Sequence, residues 1–267
     1  MAAKVITVTS GKGGVGKTTT VANLAAALAA EGQRVVCIDL DIGLRNLDVV
    51  LGLENRIVYD LVHVVEGSCR LRQAMIKDKR VPELYLIPAA QTRDKSAVTP
   101  EDMVRICNQL RADFDFVFLD CPAGIEAGFR NALAPSDLVL VVTNPEVAAV
   151  RDADRIIGLV EAEQKGPAQL ILNRVRYAMV ERGEMLSTED VLDILAIELI
   201  GVVPEDAAVI TAGNLGSPAS LDKELLVGQA YRDIAARLLG RDVPFLSLKP
   251  KTWLEKLGTF LNGGNTQ

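Results

Sequence analysis

Eight residues near the amino terminus, Gly11-Lys12-Gly13-Gly14-Val15-Gly16-Lys17-Thr18, fit the pattern G-x-x-x-x-G-K-[ST] in full. Glycines at this density let backbone N–H groups curl around phosphate oxygens without Cβ clashes. Residues 4–9 before the loop read as a strand, and Val21, Leu24, Ala25 and Leu28 after it read as one helix face. The helix N-terminus adds partial positive charge where the phosphates would sit. In that setting Lys17 neutralises the β- and γ-phosphates and Thr18 supplies a hydroxyl to Mg²⁺. Thr19 completes the nucleotide-binding set. The implied ligands are ATP or ADP with Mg²⁺.

Carboxylates stand where such a loop needs them. Val35-Val36-Cys37-Ile38-Asp39-Leu40-Asp41 reads as a strand ending in two acids, and Phe116-Val117-Phe118-Leu119-Asp120 as four apolar residues and an acid. In an α/β sheet the carboxyl ends of strands line the ligand crevice. Asp120 would hold a magnesium-bound water, since Mg²⁺ keeps several waters and few protein ligands. The glycine of Cys121-Pro122-Ala123-Gly124 offers an N–H that could sense the γ-phosphate. At another strand end, Asn173 in Ile171-Leu172-Asn173-Arg174 carries an amide able to bond both N6 and N7 of adenine.

Positioning these residues requires alternating strands and helices. Short β-branched runs near 4–9, 34–39, 84–88, 116–120, 137–142, 168–173 and 199–203 predict strands. Helical periods fall near 17–31, 100–111, 125–133, 147–164, 187–196 and 225–239. Alternation of this kind makes right-handed βαβ units, hence an α/β fold with a doubly wound, mostly parallel sheet. The chain of 267 residues divides into one domain, residues 1–245, and a tail, residues 246–267. A chain of this length can bury roughly three quarters of its unfolded surface.

Composition narrows the field. Apolar residues make up 49% and the net charge is −6, so the broad basic footprint of a nucleic-acid binder is missing and no nucleic-acid partner is expected. Four cysteines, Cys37, Cys69, Cys107 and Cys121, form no CxxC pair and read as free thiols. The single histidine, His63, reads as structural; one His and no Cys cluster argue against a zinc site or a Ser–His–Asp triad. The amino terminus lacks a signal-peptide pattern and no apolar run reaches a membrane span of ~18 residues.

The second lysine of the loop, Lys12, is not demanded by the phosphate pattern. The run Lys12-Gly13-Gly14-Val15-Gly16-Lys17-Thr18 resembles the deviant Walker A motif of the MinD/ParA ATPase family. Further blocks carry the resemblance from residue 1 to about 245, among them Asp41-Ile42-Gly43-Leu44-Arg45-Asn46-Leu47-Asp48, Ile76-Lys77-Asp78-Lys79-Arg80 and Thr143-Asn144-Pro145-Glu146. The resemblance implies a P-loop ATPase that homodimerises with ATP, with Lys12 reaching the partner subunit's nucleotide. It implies that Asp39 orients the Mg²⁺ shell and Asp41 the attacking water, so Lys12, Lys17 and Asp41 form the catalytic set. Pro204 and Asp206 would wall the base beside Asn173. The closest blocks point to the division-site branch, which positions the septum by recruiting a MinC-like inhibitor and answers to a MinE-like regulator. Arg151, Asp152 and Asp154 resemble its partner-binding surface.

Residues 250–262 complete that expectation. Pro250 suits a helix start, and Trp253, Leu254, Leu257, Phe260 and Leu261 fall on one helical stripe. Lys249, Lys251 and Lys256 against Glu255 would favour anionic lipid headgroups. The expected location is cytoplasmic, peripheral on the inner membrane. Unlike the plainly basic tail usual in the family, this one carries an internal Glu and Gly, so anchoring should be weaker. Two alternatives share the loop: a ParA-type DNA-partitioning ATPase, and an iron–sulfur reductase whose two thiols Cys107 and Cys121 would supply only loosely.

Overall fold

The computed structural model describes residues 3–247. The amphipathic segment expected at 250–262 lies outside the described residues. Among the described residues eight strands form: β1 (Lys4–Thr9), β2 (Val35–Asp39), β3 (Ile76–Lys77), β4 (Leu84–Ile87), β5 (Phe116–Asp120), β6 (Leu138–Thr143), β7 (Ala168–Val175) and β8 (Glu198–Pro204). Helices α1 (Lys17–Ala30), α2 (Leu47–Val50), α3 (Leu61–Val65) and α4 (Leu71–Ala74) lie in the first third of the chain. They are followed by α5 (Pro100–Leu110), α6 (Ala127–Leu133), α7 (Val147–Ala162), α8 (Tyr177–Glu181), α9 (Thr188–Leu195), α10 (Ala208–Asn214) and α11 (Leu226–Leu238).

The sheet order is β3-β4-β2-β5-β1-β6-β7-β8, parallel except for the antiparallel β3–β4 pair at one edge. All seven strands read from the sequence are present. The two-residue β3 and the short helices α2, α3, α4, α8 and α10 are additions, each too brief to show a period in sequence.

Alternation along the strands splits the core into two layers. Val5, Val36, Ile38, Val117, Leu119, Val139 and Val141 face the side covered by α5, α6, α7 and α9. Ile6, Val8, Cys37, Phe118, Leu140 and Val142 face α1 and α11. Strands buried on both faces must be apolar throughout, which is why β5 and β6 read as continuous hydrophobic runs. Helix boundaries follow local chemistry. Thr99 caps α5 and pairs reciprocally with Asp102, with Pro100 in the first turn; Ser187 and Asp190 do the same for α9. His63 completes such a box with Asp60 at the start of α3, so its role is structural.

This topology assembles the site. The chain reverses its winding at β1, and the loop leaving β1 lies beside the ends of β5 and β2, with Val8 opposite Asp120 and Asp120 opposite Asp39.

Candidate nucleotide site

The loop between β1 and α1 is held from several sides. Gly14 and Gly16 take φ of 78° and 102°, a region that favours glycine. The Ser10 hydroxyl donates to the Lys12 carbonyl at 2.8 Å, and Lys17 Nζ donates back to Ser10 Oγ at 3.0 Å. Lys17 is buried at 8% exposure, so its ammonium is held inside the loop. Gly11 packs against the Asp152 carbonyl of α7 so closely that a Cβ would collide with it.

Three carboxylates converge at the strand ends, in unlike surroundings. Asp39 is fully buried, and its oxygens accept the N–H groups of Asp41 (2.9 Å), Asn46 (3.1 Å) and Leu47 (3.1 Å). It therefore holds the segment 41–47 in place, and any share in a Mg²⁺ shell falls to its remaining lone pairs. Asp120 is buried beside it with Thr18 against its carboxylate, and its Oδ1 has no hydrogen-bond partner. Burial, then the adjacent Asp39 charge, pushes the Asp120 carboxyl well up from its ordinary range. Burial raises Asp39 as well, against the pull of its three N–H donors. Asp41 is half-buried and raised by desolvation, opposed by Lys95 and Lys17. A buried acid oxygen without a donor, next to a second acid and a hydroxyl, is a donor set that suits a hard divalent cation.

A cavity of about 440 Å³ opens beside the loop. Gly16, Thr19, Asn173, Pro204 and Asp206, all expected to touch nucleotide, line it together. Asn173 Nδ2 donates to the Val15 carbonyl at 2.8 Å, leaving its second amide hydrogen and its Oδ1 for a base. A Cβ on Gly16 would strike that amide.

Sequence reasoning missed Arg174, Ile210 and Tyr231 on the same walls. Arg174 sits at φ 58° within an irregular stretch of the β7–β8 pairing. Tyr231 is buried on α11 next to Thr20, and burial pushes its hydroxyl up to about 12. Neither carries a local signal: Tyr231 falls on an ordinary apolar stripe, and the strand irregularity shows only in the paired sheet. Ile210 follows Asp206 closely enough that the wall could have been extended to it.

Lys12, by contrast, points out of the loop. Its side chain is half exposed, with Nζ 3.9 Å from Glu146 Oε2 at the start of α7.

A family model described as "AAA domain" matches residues 3–171. The septum site-determining protein MinD of Synechocystis is 53% identical over 98% of this chain and 99% of its own length. The chain belongs to the MinD family of septum site-determining proteins. Among solved structures, the MinC:MinD cell division complex of Aquifex aeolicus matches with a TM-score of 0.86 and 46% identity, covering 92% of this chain and 99% of that one. The Pyrococcus horikoshii MinD complexed with Mg-ADP matches with a TM-score of 0.79 and 30% identity, covering 88% and 96%.

MinD membership settles the fold as a P-loop ATPase of the doubly wound class. The helix face expected to meet partners, Arg151, Asp152 and Asp154, lies on α7, and Asp152 is the residue packed against Gly11. Helix α7 and the phosphate loop therefore share a backbone contact. Cys107 and Cys121 lie inside the core, where burial pushes both thiols up to about 12. Among the described residues no helix is long and apolar enough to cross a membrane.

Proposed function

We propose that this chain is an ATP-driven dimer that cycles on and off the inner membrane and places the division septum by recruiting a MinC-like inhibitor. The observation that carries the dimer is Lys12: a lysine on the phosphate loop whose side chain faces outward while its neighbour Lys17 is buried within. The MinC:MinD structure of a relative 46% identical supports the inhibitor as partner. A DNA-partitioning role has weaker support, because relatives at 48–53% identity are septum site-determining proteins.

The chemistry follows from the chain's own groups. Backbone N–H groups of residues 13–18 bind the phosphate oxygens, and Lys17 neutralises their charge. Thr18 and Asp120, with Asp39 behind them, would hold Mg²⁺, which would supply charge neutralisation to the phosphates. Asp41 orients the attacking water, and Gly124, at φ 95° on the loop after β5, reads the γ-phosphate through its N–H. Asn173, Pro204 and Asp206 fix the base. Lys12 of each protomer contributes charge to its partner's nucleotide, so hydrolysis requires the dimer. Asp41→Ala should accordingly trap ATP in a long-lived dimer.

The tail, residues 246–267, supplies the membrane contact through Trp253, Leu254, Leu257, Phe260 and Leu261. A single short anchor binds reversibly, with a constant of about 10⁴ M⁻¹ for one lipid chain. Two anchors on one dimer can raise avidity by roughly 10²–10⁴. ATP thus controls membrane residence through dimerisation, and a MinE-like regulator would end it. Co-sedimentation with anionic vesicles under ATP and ADP tests this. The full chain should pellet with ATP only, and a chain lacking residues 250–267 should dimerise without pelleting. Pelleting of the truncated chain would refute the tail as anchor.

A further inference from the structure

The block at residues 76–80 has no part in the nucleotide chemistry, yet its Asp78 is almost fully buried at the end of β3. The Asp78 N–H donates to the Leu84 carbonyl at 2.9 Å. Its carboxylate accepts the Arg80 N–H at 2.7 Å and the Arg80 guanidinium at 2.9 Å. Held in this way, the guanidinium aims its remaining donors at two distant carbonyls. Nη1 donates to Gly216 at 2.6 Å and Nη2 to Leu51 at 2.5 Å. A planar fork with several fixed donors can bind a carboxylate and two carbonyls at once.

Those two carbonyls lie at the ends of two elements that border the site. Leu51 closes α2, whose Leu47 N–H is bound by Asp39 and whose preceding loop carries Asp41. Gly216 follows α10, whose Val209 and Ile210 line the base cavity. The joint itself is tight. Gly52 and Gly216 sit at φ 64° and 59°, and a Cβ on either would run into the other's backbone.

We propose that Arg80 is a positioning residue that couples the wall of the base cavity to the loop carrying Asp41. The path runs from Ile210 through α10 to Gly216, across Arg80 to Leu51, and through α2 to Asp39. Filling the base cavity then orders the hydrolytic loop, and a phosphate chain without a base does not. This rests on the nucleotide reading given above.

The experiment is hydrogen–deuterium exchange on the full chain with no ligand, with ADP and with inorganic pyrophosphate, in wild type, Arg80→Ala and Arg80→Lys. ADP should slow exchange at residues 42–53 at least threefold in the wild type, and pyrophosphate should not. In Arg80→Ala that loop protection should disappear while ADP protection of residues 11–19 stays within twofold. Arg80→Lys, which can reach one carbonyl but not both, should keep part of it; if the alanine variant fails to fold, the lysine variant carries the comparison. In steady state kcat should fall about tenfold with KM within threefold. Undiminished loop protection in the folded Arg80 variants overturns the proposal, as does loss of protection at 11–19 in parallel with it. Equal loop protection by pyrophosphate and ADP in the wild type overturns it too. If ADP protects neither region in the wild type, the nucleotide reading itself falls.

Discussion

Lys12 Nζ and Glu146 Oε2 are 3.9 Å apart, with both side chains about half exposed. A pair this open is worth at most about 1 kcal/mol, so it parks the lysine without committing it. Lys12→Ala should leave ADP affinity within about threefold, since the buried cation of the loop is Lys17. ATP-dependent dimerisation should be lost. Light scattering with ATP and with ADP checks this, and an ATP dimer of normal stability in the variant would contradict the role given to Lys12.

Lys17 should behave in the opposite way. Its ammonium is buried and already hydrogen-bonded to Ser10, so the loop holds a positive charge ready for phosphate. A hydrogen bond to a charged group contributes about 1.5–3 kcal/mol, or roughly 10–150-fold in affinity. Titration calorimetry of Lys17→Ala with ADP should show a loss in that range, with no measurable turnover.

Glycines of the same loop should differ sharply in what they tolerate. Gly11→Ala drives a Cβ into the Asp152 backbone, whereas Gly13→Ala meets only the Ala123 methyl at 3.8 Å. Overpacking against backbone costs about 1–3 kcal/mol. Thermal unfolding of Gly11→Ala should drop by several degrees, at roughly 2–4 °C per kcal/mol for a large domain. Gly13→Ala should melt near the wild type; equal melting of the two variants would count against the close contact.

Acid sensitivity should run through Asp137. Burial alone would raise this carboxyl, but the Arg111 guanidinium at 2.7 and 2.9 Å and the Val5 N–H at 2.8 Å hold it below its ordinary range. A lowered carboxyl stabilises the fold above the unfolded value and loses that contribution as pH falls through the folded one. The Asp137 side chain is 41% exposed, so solvent screens the pair and Asp137→Asn should cost only about 0.5–1 kcal/mol near pH 7. The difference from wild type should shrink in melts taken below about pH 4, the usual carboxylate range. A constant difference from pH 7 to pH 2.5 would show that charge is not involved.

How far the site was legible depends on how local each part is. The loop Gly11–Thr18 and the strand ends at Asp39 and Asp120 declare themselves because glycine conformation, a lysine and an acid after an apolar run are short-range facts. Five of the expected nucleotide residues do meet in one cavity. Asp39 was legible as an acid at the crevice but not as the acceptor for three N–H groups of the following loop, which depends on how residues 41–47 turn. Tyr231 and the Arg80 joint were illegible for another reason. Their partners lie far away along the chain, at Thr20 and at Leu51 and Gly216. Sheet order likewise escapes periodicity, which fixes that β1 is a strand but not that it lies between β5 and β6.

That central place of β1 has a consequence for synthesis. Lys4 pairs with Phe116 and Ile6 with Leu138, so β1 waits on the ribosome for more than a hundred further residues before either neighbour exists. At about 5–20 residues per second the wait is roughly 5–20 s, during which Val5, Ile6 and Val8 have no sheet to join. Closing so long a loop is slow, and an unpaired apolar strand is open to other chains meanwhile. The nascent protein should therefore lean on chaperones at this stage. Its phosphate loop, made directly after β1, takes its shape only once β5 has followed.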